Sequence, residues 1–166
     1  MKILYFGGQK SGKSRLAEMR ALSLSKNRAI KPYYIATYDN SYSDIEMQSR
    51  VDRHKKQRAD SFITVEESSN LDMVIKDGNI YLIDCISMWI LNMLDRDIDT
   101  LLYEIELLGR KDADIIFVLN DVNSGVIPID KESRRFIDYT GAIGQKITSI
   151  SDEVYEVKFG IATRLK

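Results

Sequence analysis

The chain has 166 residues, of which 44% are hydrophobic and 30% are charged, as is usual for a folded globular protein. Lysine and arginine number 24 against 25 for aspartate and glutamate, so no net field favours nucleic acid or a membrane surface. The single cysteine, Cys85, excludes an internal disulfide and is typical of a reducing cytosol. Met1 leads directly into a strand pattern, and no apolar run could cross a bilayer. We therefore expect a cytoplasmic protein without a signal peptide, a membrane span or a nucleic-acid partner.

A glycine-rich segment near the start has the pattern G-x-x-x-x-G-K-[ST] and reads Gly7-Gly8-Gln9-Lys10-Ser11-Gly12-Lys13-Ser14. It follows an apolar strand pattern at 3–6 and precedes a helix pattern at 15–24. Glycines admit backbone conformations closed to other residues, so successive N–H groups can turn toward phosphate oxygens. The start of the helix adds free N–H groups and the positive end of its dipole. The segment therefore predicts a nucleoside triphosphate site, in which Lys13 reaches the outer phosphates and Ser14 binds Mg²⁺.

Strand and helix patterns alternate along the rest of the chain, and the polar residues 25–28 are predicted to end the first helix. Strands are predicted at 32–37, 62–65, 80–84, 115–119, 154–157 and 161–165, and helices at 44–58, 71–75, 87–94, 100–108 and 131–150. The strands are too apolar for a sheet that has one face exposed to solvent. We expect an α/β, P-loop NTPase-like three-layer fold, with a mainly parallel sheet covered by helices on both faces. Because the chain shows no linker or repeat, residues 1–166 are predicted to form one domain.

Asp84 ends the buried strand pattern at 80–84 with a carboxylate. In open α/β folds ligands bind at the carboxyl edge of the sheet, and P-loop proteins place a second group that organises Mg²⁺ at such a strand end. The alternative is a structural role, in which Asp84 caps the helix predicted from residue 87. With the phosphate loop present, we favour a magnesium site formed by Ser14 and Asp84.

His54 is the only histidine, and it lies in the helix predicted at 44–58. A spacing of four places Arg50, His54 and Arg58 on one face, with Lys55 beside it. An imidazole between two guanidiniums has its protonated form disfavoured and stays nucleophilic near pH 7, while the arginines can bind phosphate. This arrangement favours a histidine that attacks phosphorus. The alternative is a solvated, charged helix face on which the histidine is incidental.

Short segments in a fixed order extend over nearly the whole chain. They are the phosphate loop with Arg15-Leu16-Ala17-Glu18, Tyr34-Ile35-Ala36-Thr37, Asp44-Ile45-Glu46-Met47 with Arg50-Val51 and His54-Lys55-Lys56-Gln57-Arg58, Thr64-Val65-Glu66, Asp84-Cys85-Ile86-Ser87-Met88-Trp89 with Asn92, Gly125-Val126-Ile127-Pro128, and Arg135-Phe136-Ile137-Asp138 with Gly141. Together they resemble the bifunctional adenosylcobinamide kinase / adenosylcobinamide-phosphate guanylyltransferase family of cobalamin biosynthesis. The chain departs from that family's pattern at Phe62, at Asn120-Asp121-Val122-Asn123 and at Gly144-Gln145.

The resemblance implies two reactions. A nucleoside triphosphate, ATP or GTP, phosphorylates the aminopropanol hydroxyl of adenosylcobinamide. His54 then attacks the α-phosphorus of GTP and carries GMP to the new phosphate, which gives adenosylcobinamide-GDP. The resemblance also implies Mg²⁺ and a homotrimer. Its nucleotide contacts are the phosphate loop, Asp84, and Ile35, Ala36, Thr37, Arg50, Lys55, Lys56, Gln57, Arg58 and Glu66.

Two other functions are compatible with the phosphate loop. A simple P-loop kinase of a small metabolite needs Lys13 and Asp84 but not His54. A regulatory or assembly protein binds GTP without transferring any part of it. GTP labelled at the α-phosphate distinguishes these possibilities, because only the guanylyltransferase retains that label covalently.

Overall fold

The computed structural model describes residues 1–38 and 60–166. Its strands are β1 (Lys2–Gly7), β2 (Tyr33–Ala36), β3 (Ile63–Glu66), β4 (Ile80–Asp84), β5 (Asp114–Asn120), β6 (Glu153–Lys158) and β7 (Ile161–Arg164). Within this part of the chain the helices are α1 (Lys13–Arg28), α2 (Leu71–Val74), α3 (Ile86–Asn92), α4 (Ile98–Arg110) and α5 (Lys131–Ile150). The strands form one seven-stranded sheet in the order β3-β2-β4-β5-β1-β6-β7. Neighbouring strands are parallel except β6 and β7, which are antiparallel.

Helices cover both faces of this sheet. Successive strand residues point to opposite faces, so Ile3 and Leu4 of β1 belong to two separate apolar clusters. On one face α1 packs through Ala17 and Ala21, whose small side chains let the helix lie close to the strands. On the other face α3, α4 and α5 form a larger cluster that includes the fully buried Trp89. The predicted α/β fold with a mainly parallel, two-sided sheet is therefore confirmed. None of the described helices combines the length and apolarity that crossing a membrane requires.

The end of the first helix differs from the prediction. The polar residues 25–28 predict the end of the helix, but α1 continues through Arg28. It ends at Ala29, which adopts the left-handed conformation with φ of 54°. Arg28 is stabilised by a salt bridge of 2.7 Å to Asp114 and by the negative end of the helix dipole. The polar run is thus the exposed last turn of the helix. The helix predicted at 44–58 lies outside the described residues.

The parallel register places the ends of several strands at one edge. Strand β5 pairs with β1 on one side and with β4 on the other, so that Gly7 lies opposite Asn120 and Asp84 opposite Val118. On the far side of β4, Ala36 of β2 lies opposite Asp84. The segment that follows β1 and the carboxylate that ends β4 therefore emerge at the same edge.

Substitution of the central strand gives a test of this packing. Ile116 of β5 is fully buried, whereas Ile161 of β7 is exposed. We expect Ile116→Ala to lower the free energy of unfolding by roughly 2–5 kcal/mol, because buried methyl groups are lost and a cavity remains. Ile161→Ala should change it by less than about 0.5 kcal/mol. Urea denaturation of both variants measures the difference, and equal losses would contradict the central position of β5.

Candidate nucleotide site at the carboxyl edge of the sheet

The phosphate loop connects β1 to α1 by a tight turn. The N–H of Ser11 donates to the carbonyl of Gly8 at 3.2 Å. Gly12 then precedes α1 with φ of 97°, a left-handed conformation that glycine adopts without strain. The first helical hydrogen bond runs from the N–H of Leu16 to the carbonyl of Gly12. The N–H groups before Leu16 have no carbonyl within the helix to bind, which is the property that lets a helix start bind an anion.

The end of β6 and the turn between β6 and β7 pack against this loop. The N–H of Gly160 donates to the carbonyl of Ser11 at 2.7 Å. A Cβ atom on Gly12 would lie 3.1 Å from Cα of Gly160, and a Cβ atom on Gly7 would overlap the carbonyl of Val157. Glycine at both positions is therefore required by the close approach of neighbouring backbone as well as by the loop's own conformation.

The Lys13 ammonium lies over the loop, although its side chain is almost fully buried. Its Nζ donates to the carbonyl of Gly8 at 3.1 Å. Burial lowers the pKa of Lys13, because the charged form loses hydration, while the nearby Cys85 and Asp84 act in the opposite direction. The ammonium is thus held against the backbone of the loop, within the electrostatic influence of Asp84.

Asp84 and Ser14 face each other across the edge of the sheet. Ser14 Oγ donates to Asp84 Oδ1 at 3.4 Å, and the Tyr34 hydroxyl donates to Asp84 Oδ2 at 2.9 Å. The residue that precedes α3 is Cys85, so the carboxylate of Asp84 bonds these two side chains instead of capping the helix. Hydroxyl and carboxylate oxygens are the donors that Mg²⁺ prefers, and adjacent ligands in its octahedral shell lie about 3 Å apart. Ser14 and Asp84 therefore fit a magnesium ion.

A network of hydrogen bonds joins the neighbouring strand ends. The Thr37 hydroxyl donates to the carbonyl of Cys85 at 2.8 Å and accepts from its N–H at 3.0 Å. The Asn92 side-chain amide donates to the carbonyls of Thr37 and Ser68 at 2.7 and 3.0 Å. Burial raises the pKa of the Cys85 thiol to about 11, so the thiol stays protonated at neutral pH. These bonds fix the ends of β2 and β4, the start of the segment after β3, and the last residue of α3.

The other predicted nucleotide contacts have different surroundings. Gly8, Gln9 and Lys10 are exposed in the loop, whereas the side chain of Ile35 is fully buried in the core. Ala36 lies between Asp84 and Glu66 in the register, so these three residues end adjacent strands. The remaining predicted site residues lie outside the described part of the chain; they are Arg50, His54, Lys55, Lys56, Gln57 and Arg58.

The segment that follows β5 differs from the family pattern yet stays close to the loop. The N–H of Asp121 donates to the carbonyl of Gly7 at 2.9 Å, which extends the β1–β5 pairing. The Asn123 side chain donates to the carbonyl of Ile137 in α5 at 3.1 Å. A Cβ atom on Gly141 would lie 3.0 Å from that amide nitrogen. Asn123 therefore attaches this segment to α5, which passes closely because residue 141 is glycine.

Sequence reasoning did not predict Tyr34 or Gly160 as parts of the site. A tyrosine in an apolar strand is typical of a core residue, and its sequence position gives no sign that its hydroxyl meets Asp84. Gly160 separates two strand patterns, as turn glycines commonly do. Its contact with the phosphate loop, about 150 positions away, has no local signal.

Strand β1 leads through a glycine loop into helix α1, and a lysine lies over that loop. A carboxylate ends β4, which is separated from β1 by the single strand β5. These features together define a P-loop nucleotide-binding protein. The family model described as "Cobinamide kinase / cobinamide phosphate guanyltransferase" matches residues 3–165. The chain belongs to this family. It is therefore an enzyme of cobalamin biosynthesis that uses nucleotides and acts on cobinamide, which confirms the prediction from the sequence.

Similar proteins occur in bacteria. The bifunctional adenosylcobalamin biosynthesis protein CobU of Escherichia coli is 30% identical over an alignment of 188 residues, gaps included. The alignment covers the full length of both chains. The bifunctional adenosylcobalamin biosynthesis protein CobP of Pseudomonas aeruginosa is 33% identical over 178 residues, with 100% of this chain and 98% of that protein covered. Among solved structures, the flagellar accessory protein FlaH from Methanocaldococcus jannaschii matches with a TM-score of 0.53 at 18% identity. That match covers 99% of this chain and 77% of FlaH, and it shows the fold alone.

Adjacent glycines of the loop provide a matched pair for testing how it packs. Gly7→Ala should lower the free energy of unfolding by roughly 1–3 kcal/mol, because the added methyl group meets the carbonyl of Val157. Apart from Gly8 and its two chain neighbours, no described residue has an atom within 4 Å of a Cβ added at Gly8, so Gly8→Ala should be nearly neutral. Urea denaturation measures both changes. Wild-type stability of Gly7→Ala would show that β6 does not pack against the loop.

Proposed function

We propose that this chain catalyses both reactions of its family at one enzyme. It phosphorylates adenosylcobinamide with ATP or GTP, and it then transfers GMP from GTP to the new phosphate through a covalent intermediate on His54. The observation that supports nucleotide chemistry most directly is the grouping of Lys13, Ser14 and Asp84 at the mouth of the phosphate loop. The match over residues 3–165 extends the proposal to both reactions.

In the kinase reaction the phosphate loop binds the triphosphate. The N–H groups at the start of α1 donate to phosphate oxygens, and the Lys13 ammonium exchanges its bond to the Gly8 carbonyl for one to an outer phosphate. Ser14 and Asp84 would hold Mg²⁺, which would neutralise part of the phosphate charge. The substrate hydroxyl attacks the γ-phosphorus and releases its proton to water, the bond to the bridging oxygen breaks, and the nucleoside diphosphate leaves.

In the guanylyl transfer an imidazole nitrogen of His54 attacks the α-phosphorus of GTP. A phosphorus–nitrogen bond forms, and pyrophosphate leaves as the phosphorus–oxygen bond breaks. An oxygen of the phosphorylated corrinoid then attacks the same phosphorus and releases the imidazole. Arg50 and Arg58 bind the phosphate oxygens on which negative charge increases.

The remaining contacts and the assembly follow from the same proposal. We infer that Ala36, Thr37 and Glu66 line the nucleotide site, because their strands end at the edge where Asp84 ends. Further nucleotide contacts are proposed at Ile35, Gly7, Gly8, Gln9, Lys10, Ser11, Gly12, Lys55, Lys56, Gln57 and Arg58. We also propose that the chain forms a single domain, assembles as a homotrimer and acts in the cytoplasm.

Removal of the loop lysine tests the triphosphate site. Lys13→Ala should raise the dissociation constant for Mg²⁺–GTP roughly tenfold to hundredfold, because a charge-assisted hydrogen bond to phosphate is lost. Lys26→Ala serves as the control, since Lys26 is exposed near the other end of α1. Isothermal titration calorimetry measures affinity, and thermal unfolding checks the fold. Undiminished GTP affinity of Lys13→Ala would contradict the assignment of the phosphate loop.

The position of a retained label tests the guanylyltransferase. Protein incubated with Mg²⁺ and α-labelled GTP should retain label that survives alkali and is lost in acid, as a phosphoramidate does. γ-Labelled GTP should leave none. His54→Ala and His54→Asn should lose the covalent label while GTP binding persists, and the chain has no second histidine to substitute.

The same experiment separates the competing functions. Should the wild-type protein bind GTP but take no α-label, the guanylyltransferase proposal fails. Phosphoryl transfer from γ-labelled nucleotide to cobinamide would then identify a simple kinase. Binding of GTP with neither transfer would identify a regulatory protein.

A further inference from the structure

Tyr34 is a buried residue of β2 whose hydroxyl reaches the edge of the sheet. It lies opposite Leu82 of β4, two positions before the pair formed by Ala36 and Asp84. The phenol extends along the strands, and its hydroxyl donates to Asp84 Oδ2 at 2.9 Å. The Phe62 ring packs edge-to-face against it, with the ring centroids 6.0 Å apart and an interplanar angle of 81°. The hydroxyl is thus presented to Asp84 by a ring held within the core.

This bond divides the two oxygens of Asp84 between two partners. Oδ2 accepts from Tyr34, while Oδ1 faces Ser14 at 3.4 Å. The torsion that orients a carboxylate has a broad energy profile, so a strong donor on one oxygen decides where the other oxygen points. The distance to Ser14 is long for a bond between two oxygens, and it suits two ligands of one cation better than a closed pair.

Lys13 lies at the same edge of the sheet. Its buried ammonium donates to the carbonyl of Gly8 at 3.1 Å. A freely rotating carboxylate could form a direct ion pair with Lys13, which would withdraw the cation ligand and the phosphate ligand together. The Tyr34 hydroxyl holds the carboxylate turned toward Ser14 and so keeps both charges available.

We propose that Tyr34 is a positioning residue, whose hydroxyl makes Asp84 a one-oxygen ligand for the divalent cation of the bound nucleotide. The inference rests on the proposed phosphate-loop function. The proposal gives Tyr34 no direct contact with nucleotide or metal. It acts through the orientation of Asp84, and its effect is therefore confined to steps that depend on the cation.

The test compares Tyr34→Phe with Tyr33→Phe. Each removes one hydroxyl, but Tyr33 points to the opposite face of the sheet, where its ring stacks on Tyr81. Mn²⁺ in place of Mg²⁺ allows its binding to the GTP complex to be followed by electron paramagnetic resonance. Tyr34→Phe should raise the Mn²⁺ concentration for half-saturation roughly tenfold, as expected for one lost bond to a charged group. Tyr33→Phe should leave the Mn²⁺ concentration for half-saturation unchanged. When EDTA removes the divalent cation, the wild-type protein and both variants should bind GTP with the same affinity.

A double-mutant cycle with Asp84→Asn tests whether Tyr34 influences Mn²⁺ binding through Asp84. If Tyr34 acts through Asp84, adding Tyr34→Phe to Asp84→Asn should cause no further weakening of Mn²⁺ binding. Full additivity, or a wild-type Mn²⁺ response of Tyr34→Phe in a protein that binds GTP, would overturn the inference and leave the proposed function intact. Failure of the wild-type protein to bind GTP would instead refute the proposed function.

A second variant covers the case in which Tyr34→Phe does not fold. Phe62→Leu keeps the Tyr34 hydroxyl but removes the ring that holds the phenol in place. It should raise the Mn²⁺ concentration for half-saturation by a smaller factor in the same direction. An unchanged value in folded Phe62→Leu would then count against the inference.

Discussion

The parallel pairing of β5 with both β1 and β4 is the constraint on which the rest of the site depends. Parallel strands end at a common edge, and the register fixes Gly7 and Asp84 on either side of β5 there. The phosphate loop and the carboxylate therefore meet without any long side chain spanning the gap. A shift of either pairing by one residue would turn the strand's buried side chains toward the wrong face, so the core itself maintains the spacing.

Backbone contacts then hold the loop in position. The turn after β6 donates to Ser11, and the carbonyl of Val157 lies where a side chain at residue 7 would have to be. The loop's conformation therefore depends on a strand at the other end of the chain. Because the glycines serve both this packing and the approach of phosphate, their presence in the motif has two physical causes.

The charges of the site are balanced within a partly buried environment. Burial disfavours the charged form of Lys13, and the neighbouring Asp84 offsets part of that cost. Lys13 and Asp84 can bind phosphate and cation only if they do not form a direct ion pair with each other. The bonds of Lys13 to the Gly8 carbonyl and of Asp84 to Tyr34 keep the two groups apart, so that each can bind a part of the nucleotide complex.

Features that depend on neighbouring residues could be predicted from the sequence alone. The phosphate loop is recognisable because strand, loop and helix follow one another at fixed spacing, and α5 matches its predicted bounds because Asp130 caps it through the N–H of Ser133. Local composition was misleading at residues 25–28, where polar side chains form the exposed last turn of α1. The bond of Tyr34 to Asp84 and the bond of Gly160 to Ser11 became evident only in the folded protein. These partners are far apart in the chain, and their contact depends on strand order and register, which no local pattern specifies.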